Sequence, residues 1–245
     1  MPSTTHYLAT RPDGTVPAGP GSTIPINLLT PDANGIVRHP NPGAPGTWWS
    51  GEHLTLTLTT AAGEALEGRT WPVRLFAVEP VGESAPGGPG YRHQVRTRAL
   101  RVVEETDARL ALGPRAAQVL VLIEELPELA HRWASRYAAD PAAGHEAYET
   151  WRLCTHHGHT SAVNARARAA DAARRSRRDA ALSAVRQLAV DAALPAAEEF
   201  GPRAAHYAAM RASARADAAL LEDRLTDYVL LALRGHSLDR PRTAA

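Results

Sequence analysis

The chain has no lysine at all: its 27 basic residues are all arginine. That excludes a lysine Schiff base and a lysine-dependent phosphate loop. It has one cysteine, Cys154, so no intramolecular disulfide can form. Aromatic residues make up only 5% of its 245 residues. No stretch approaches the roughly 18 consecutive apolar residues of a membrane span. The first residues, Met1-Pro-Ser-Thr-Thr-His6, carry neither a basic segment nor an apolar one. The expectation is a cytoplasmic protein with no membrane contact. Charge of one sign is also lacking. The net charge is +1, and it divides into about −1 before residue 110 and about +2 after it, which gives no global drive toward a polyanion.

What the chain does have is a break in composition near residue 110. Residues 1–110 hold 13 of the 19 prolines, 13 of the 18 glycines and 11 alanines; residues 111–245 hold 37 alanines. Alanine is the strongest helix former, and glycine and proline are the weakest. The predicted fold class is therefore α+β: a small antiparallel β module on the N-terminal side, followed by an alanine-rich helical region. Three parts are expected, an irregular Pro/Gly-rich arm over 1–50, the β module over 51–110 and the helical region over 111–245. Alanine buries little area, so the helices must pack closely. A homo-oligomer that adds burial is expected.

Within the arm, residues 23–29 read as an edge segment, with Pro25 arguing against a central strand, and Trp48-Trp49 as an anchor onto a core. Leu54, Leu56 and Leu58 alternate with threonine, the clearest strand pattern in the chain. A turn at 61–64 leads to a second strand over 71–78. A third strand is expected from Tyr91 to Glu104, with Val95, Thr97, Ala99 and Arg101 on one face and Arg92, Gln94, Arg96 and Arg98 on the other. The pattern suggests a meander with one wet face.

The helical punctuation is clearer. Gly113-Pro114 opens a first helix, with Val119, Leu122, Leu126, Leu129, Trp133 and Tyr137 as its inward stripe and Pro127 splitting or kinking it. Asp140-Pro141 caps a second helix to about Leu153. Gly158 breaks the pattern and a helix restarts near Thr160. Ser176-Arg-Arg-Asp179 fits a capping box, and the apolar face changes phase there, so a new helix or a kink is expected. Pro195 and Gly201-Pro202 interrupt again. The last helix runs to about Arg234, with Leu221, Leu225, Tyr228 and Ala232 inward and Gly235 ending it.

Two clusters carry candidate chemistry. Arg166, Arg168, Arg174, Arg175, Arg177 and Arg178 form a basic helix segment. At about 100° per residue, Arg168, Arg175 and Arg178 fall within about 80° of one another, opposite a face of small residues. Guanidinium groups bind phosphate or carboxylate bidentately. Only Asp171 and Asp179 offset the cluster, and no aromatic interleaves it, which counts against stacking on single strands. The favoured reading is a non-enzymatic binding or assembly protein whose partner is acidic, either nucleic acid or protein, contacted by this helix and by Arg92, Arg96 and Arg98, with no cofactor. The alternative is a metal-dependent enzyme holding a transition metal such as zinc through Cys154, His156, His157 and His159. No second ligand pair stands at matching spacing, so exposed histidines capping a helix C-terminus explain the cluster better than a metal site does. Glu128-x-x-His131 is half of a di-iron pattern with no second copy, and His145 and Glu149 lack the second histidine of a zinc protease helix.

Residues 73–80, Tyr91-Arg92, 98–105, Leu112-Gly-Pro114 and 119–123 together resemble a block in uncharacterised proteins of GC-rich bacteria, where an Ala-, Arg- and Asp-rich helical segment often follows, as residues 165–193 do here. The resemblance covers about residues 70–125. It implies a small β module before helices and no activity.

Overall fold

The structure is a computed structural model describing residues 5–17, 24–40, 55–87, 93–154 and 160–235. The chain forms two compact units, residues 1–111 and 112–245.

Among the described residues the first unit is built on nine strands: β1 (His6–Thr10), β2 (Thr15–Val16), β3 (Ile26–Asn27), β4 (Ile36–Arg38), β5 (Leu56–Thr59), β6 (Arg74–Pro80), β7 (Ser84–Pro86), β8 (Gln94–Thr97) and β9 (Ala99–Thr106). Seven form one antiparallel sheet in the order β4-β9-β6-β1-β5-β8-β7, and β2 pairs with β3. β8 and β9 stand on opposite sides of β6, β1 and β5, yet only Arg98 separates them in sequence. The two ends of the run β9–β6–β1–β5–β8 therefore approach each other at the step from Thr97 to Ala99. Thr97 makes the bend locally: its Oγ1 donates to the Ala99 carbonyl at 2.7 Å, an alternative to continuing the ladder. The inside is filled by Leu8, Val37, Leu56, Leu58, Phe76, Val78 and Leu100, with Val16, Ile26 and Leu28 from the small ladder. Each fully buried side chain of this size contributes about 1.5–3 kcal/mol of transfer free energy.

The fold class is as expected, an antiparallel β module followed by helices, but three local expectations are corrected. His6–Thr10, inside the stretch read as an arm, is the sheet's central strand, paired with β6 along its whole length. The single third strand is two strands, broken at Arg98. With it goes the shared wet face: Gln94 is buried and donates to Glu67 at 2.6 Å, while Arg98 sits in the bend. The edge segment holds: among the described residues Ile26–Asn27 pairs with β2 alone. Trp48 and Trp49 lie outside the described residues.

The second unit contains α1 (Ala116–Ala139), α2 (Pro141–Leu153), α3 (Ala162–Arg175), α4 (Asp179–Ala193), α5 (Pro202–Leu221) and α6 (Asp227–Arg234). α5 is its axis. Residues on every side of α5 are buried, eight of them alanine, as expected of a helix surrounded by others. α1, α3, α4 and α6 all pack against it. α1 runs unbroken through Pro127. The proline is exposed, and the carbonyl it leaves unpaired, that of Ile123, lies on the same side of the helix. Asp140 caps α2 as predicted, accepting from the Ala143 amide at 3.0 Å. Gly144 lets α2 close onto α1, because a Cβ there would stand 3.0 Å from the Tyr137 Cα and ring.

The Ser176 junction is real, but the capping box is not. Ser176 Oγ donates back to Ala172 and Ala173 at 2.8 and 3.2 Å, so Ser176 closes α3 rather than opening α4. Arg177 then takes φ 55°, and α4 starts at Asp179. The last helix is likewise two. A turn at Glu222–Arg224 separates α5 from α6, which shifts the inward face to Val229, Leu230 and Leu233 and leaves Tyr228 exposed. Gly235 ends α6 in the left-handed region, as expected.

Candidate partner-binding face

The six clustered arginines divide by direction. Arg166 turns inward from α3. Its Nη2 donates to Ser213 Oγ at 2.9 Å, and its Nε lies 3.5 Å from Asp217 Oδ2. Arg178, only 8% exposed, clamps Asp223 at 3.0 and 3.3 Å and reaches the Leu220 carbonyl at 3.4 Å. These two hold helices together and are withdrawn from the expected binding set. Arg178 leaves the face it was predicted to share with Arg168 and Arg175 because α3 ends before it and Arg177 reverses the backbone.

Arg168, Arg174, Arg175 and Arg177 are exposed. Arg174 pairs with Asp171 one turn back. The Arg168 guanidinium stands 5.7 Å from the centre of the Tyr228 ring on α6. A hydrogen bond with Thr226 and the nearby Arg168 hold the Tyr228 phenol below its usual range. Arg96 and Arg98 are half-buried in the first unit, Arg98 3.7 Å from Glu83; Arg92 lies outside the described residues.

Of the metal reading, Cys154 is exposed at the C-terminus of α2, its amide bonded to the Thr150 carbonyl at 3.0 Å. His156, His157 and His159 lie outside the described residues. Among the described residues no group of three or more His, Cys, Asp or Glu side chains comes together. Glu149 faces Arg152 at 2.8 Å rather than a site with His145, Glu128 pairs with Arg132, and His131 stands 3.2 Å from Glu199.

Two arrangements escaped the sequence reading. The first is an ionic network on α5. Asp217, with no exposed surface, accepts from Arg186 Nε and Nη2 at 2.6 and 2.7 Å. Burial pushes its carboxyl upward against the pull of Arg186 and Arg166. The second is an aromatic cluster. The buried Arg211 guanidinium lies 4.7 Å from the Trp133 ring and 5.6 Å from the Tyr207 ring, and donates to Tyr207 Oη at 3.0 Å. Trp133, Tyr137, Tyr207 and Arg211 wall a cleft of about 200 Å³ beside Gly144. The signal for the first was present in α5, where alanine on every side marks a surrounded helix whose one acid must be paired. For the second, the i,i+4 pair Tyr207 and Arg211 was the available clue.

Among the described residues no helix is long and apolar enough to cross a membrane. No protein-family model, curated protein or solved structure matches the chain.

Proposed function

We propose that the protein is a non-enzymatic binding protein whose helical unit holds an acidic partner through Arg168, Arg174, Arg175 and Arg177. The observation that supports this most is the division of labour within one short segment. Arg166 and Arg178 face carboxylates inside the unit, at Asp217 and Asp223. The four exposed arginines keep their guanidinium groups at the surface: Arg168 lies over the Tyr228 ring of α6 and Arg174 pairs with Asp171 one turn back. Exposed guanidinium groups at this density suit carboxylate or phosphate, which they engage in a planar, two-pronged geometry.

The reading is tested by replacing Arg168, Arg174, Arg175 and Arg177 together with glutamine. Wild type and variant are titrated with labelled duplex and labelled polyglutamate at about 50 and 200 mM salt, where contacts to charged chains weaken steeply. Wild type should bind at least one probe at the lower salt and lose most of that affinity at the higher. The variant should bind neither. No binding by wild type to either polyanion at low salt overturns the reading.

A further inference from the structure

Three helices of the second unit line the cleft beside Gly144, and they bring unlike side chains to it. α1 contributes Trp133, Arg136 and Tyr137, spaced three and four residues apart on one side of the helix. α5 contributes Tyr207 and Arg211, one turn apart. Past its cap at Asp140, α2 contributes only Ala143, Gly144 and Ala147. Large rings thus meet residues that stop at Cβ or before it, and a space of about 200 Å³ is left between them.

Arg211 is held in place by the fold itself. It is only 3% exposed. Its guanidinium lies against the Trp133 ring and donates to Tyr207 Oη. A Cβ at Gly235, the residue that ends α6, would stand 2.6 Å from Arg211 Nη2, so the backbone after α6 closes on the same group. A phenol that accepts from a guanidinium still has its one proton to give.

We infer that this cleft binds a small aryl carboxylate, its ring against Trp133, Tyr137 and Tyr207 and its carboxylate toward Arg211 and Arg136. The charge of the lining selects the sign. Two arginines stand against one acid, Asp140, whose carboxylate accepts from the Ala143 amide at 3.0 Å. α2 begins there, and the positive end of its dipole offsets that acid further. A cationic ligand is disfavoured on a second ground. The Trp133 ring already has the Arg211 and Arg215 guanidinium groups 4.7 and 5.4 Å from its centre, the positions a ligand cation would seek. The rings select a flat apolar body over a bare anion. The volume lies below the roughly 300–1,000 Å³ of drug-sized sites, which suits one ring and one acid group. The cleft shares no residue with the outer arginines Arg168, Arg174, Arg175 and Arg177, so this inference goes beyond the acidic-partner reading.

The test is isothermal titration calorimetry of the full chain with benzoate and phenylacetate, with acetate, benzamide and benzylammonium as matched probes. At least one of the two aryl carboxylates should bind once per chain with a Kd below about 1 mM. Acetate and benzamide should bind at least about tenfold more weakly, because each lacks either the ring or the charge-assisted bonds. Benzylammonium should not bind. Ala147→Leu fills the cleft with a residue that suits a helix nearly as well as alanine, and it should abolish binding. Arg211→Lys keeps the charge but loses the planar fork, and it should bind at least about tenfold more weakly. Arg136→Gln should weaken binding about threefold, the scale of an exposed ion pair. Far-UV circular dichroism confirms that each variant keeps its helices; should Arg211→Lys fail to fold, Ala147→Leu decides. The four-arginine variant should bind like wild type. No binding of either aryl carboxylate, equal affinity for acetate or benzamide, or full binding by Ala147→Leu overturns the inference. Loss of binding in the four-arginine variant also overturns it, since the site would then lie on α3.

Discussion

Asp217 and Arg186 form a two-pronged ion pair at 2.6 and 2.7 Å in which the carboxylate has no contact with solvent. It joins α4 to the surrounded helix α5, and Arg166 brings α3 to the same acid at 3.5 Å. Three helices thus meet on one carboxylate in a unit whose alanines supply little lateral area. A buried charge removed from such a network leaves its partners uncompensated.

Asp217→Ala should therefore destabilise the protein by about 3–5 kcal/mol, the range for breaking one partner of a buried pair. Urea unfolding of the full chain, followed by far-UV circular dichroism, measures it. A loss smaller than about 1 kcal/mol, the usual value of an exposed pair, would show that the pair does not act as a buried one.

Arg177 and Arg178 are neighbours in sequence with opposite roles. Arg178→Gln should cost about 1–3 kcal/mol, because it removes charge-assisted bonds to Asp223. Arg177→Gly should cost nothing and should stabilise by up to about 1 kcal/mol, since glycine adopts the positive φ without strain. Thermal midpoints of the two single variants check the contrast; equal losses would refute it.

Gly144→Ala tests the α1–α2 contact. Alanine is intrinsically better in a helix by about 1 kcal/mol. The added Cβ would stand 3.0 Å from Tyr137, tighter than ordinary contact. Overpacking of this kind costs about 1–3 kcal/mol, so the net effect should be destabilising. A rise in stability would mean that the helices separate without cost.

The element ends were the most legible features, because each rests on one local interaction. Asp140 caps α2 and Gly235 ends α6, and Leu56 and Leu58 alternate into the core of the first unit. What was hidden depends on distant partners. β1, the segment His6–Thr10, is short and carries two polar residues, yet pairs on both sides, so nothing local marks it as central. Pro127 reads as a helix breaker but sits where the broken bond is tolerated. Of the arginine cluster, sequence spacing gave the helix and its junction correctly. It could not separate the inward Arg166 and Arg178 from their neighbours, since that depends on Asp217 and Asp223, 51 and 45 residues away in sequence.

Acid should weaken the tie between the start of α4 and the turn that follows α5. Burial raises the Asp223 carboxyl, but the Arg178 hydrogen bonds and the charges of Arg178 and Arg224 outweigh it and hold it below the usual value of 3.8. A carboxyl lowered in the folded state contributes stability above its unfolded pKa and loses it as pH falls through the folded one. Asp32, Asp107, Glu105 and Glu149 are lowered too, each by hydrogen bonds to its carboxylate. Urea midpoints should fall below about pH 4, and Asp223→Asn should make that fall shallower. An unchanged acid limb in the variant would remove Asp223 from the explanation.

The most direct test of the central claim compares outer with inner arginines in one binding assay. Labelled acidic probes, polyglutamate and duplex, are titrated at about 50 mM salt against wild type, the Arg168/Arg174/Arg175/Arg177→Gln variant and Arg166→Gln. The account predicts binding to at least one probe by wild type, its loss in the outer variant with the far-UV circular dichroism spectrum unchanged, and its retention in Arg166→Gln with the thermal midpoint lowered. Full binding by the outer variant would contradict the account.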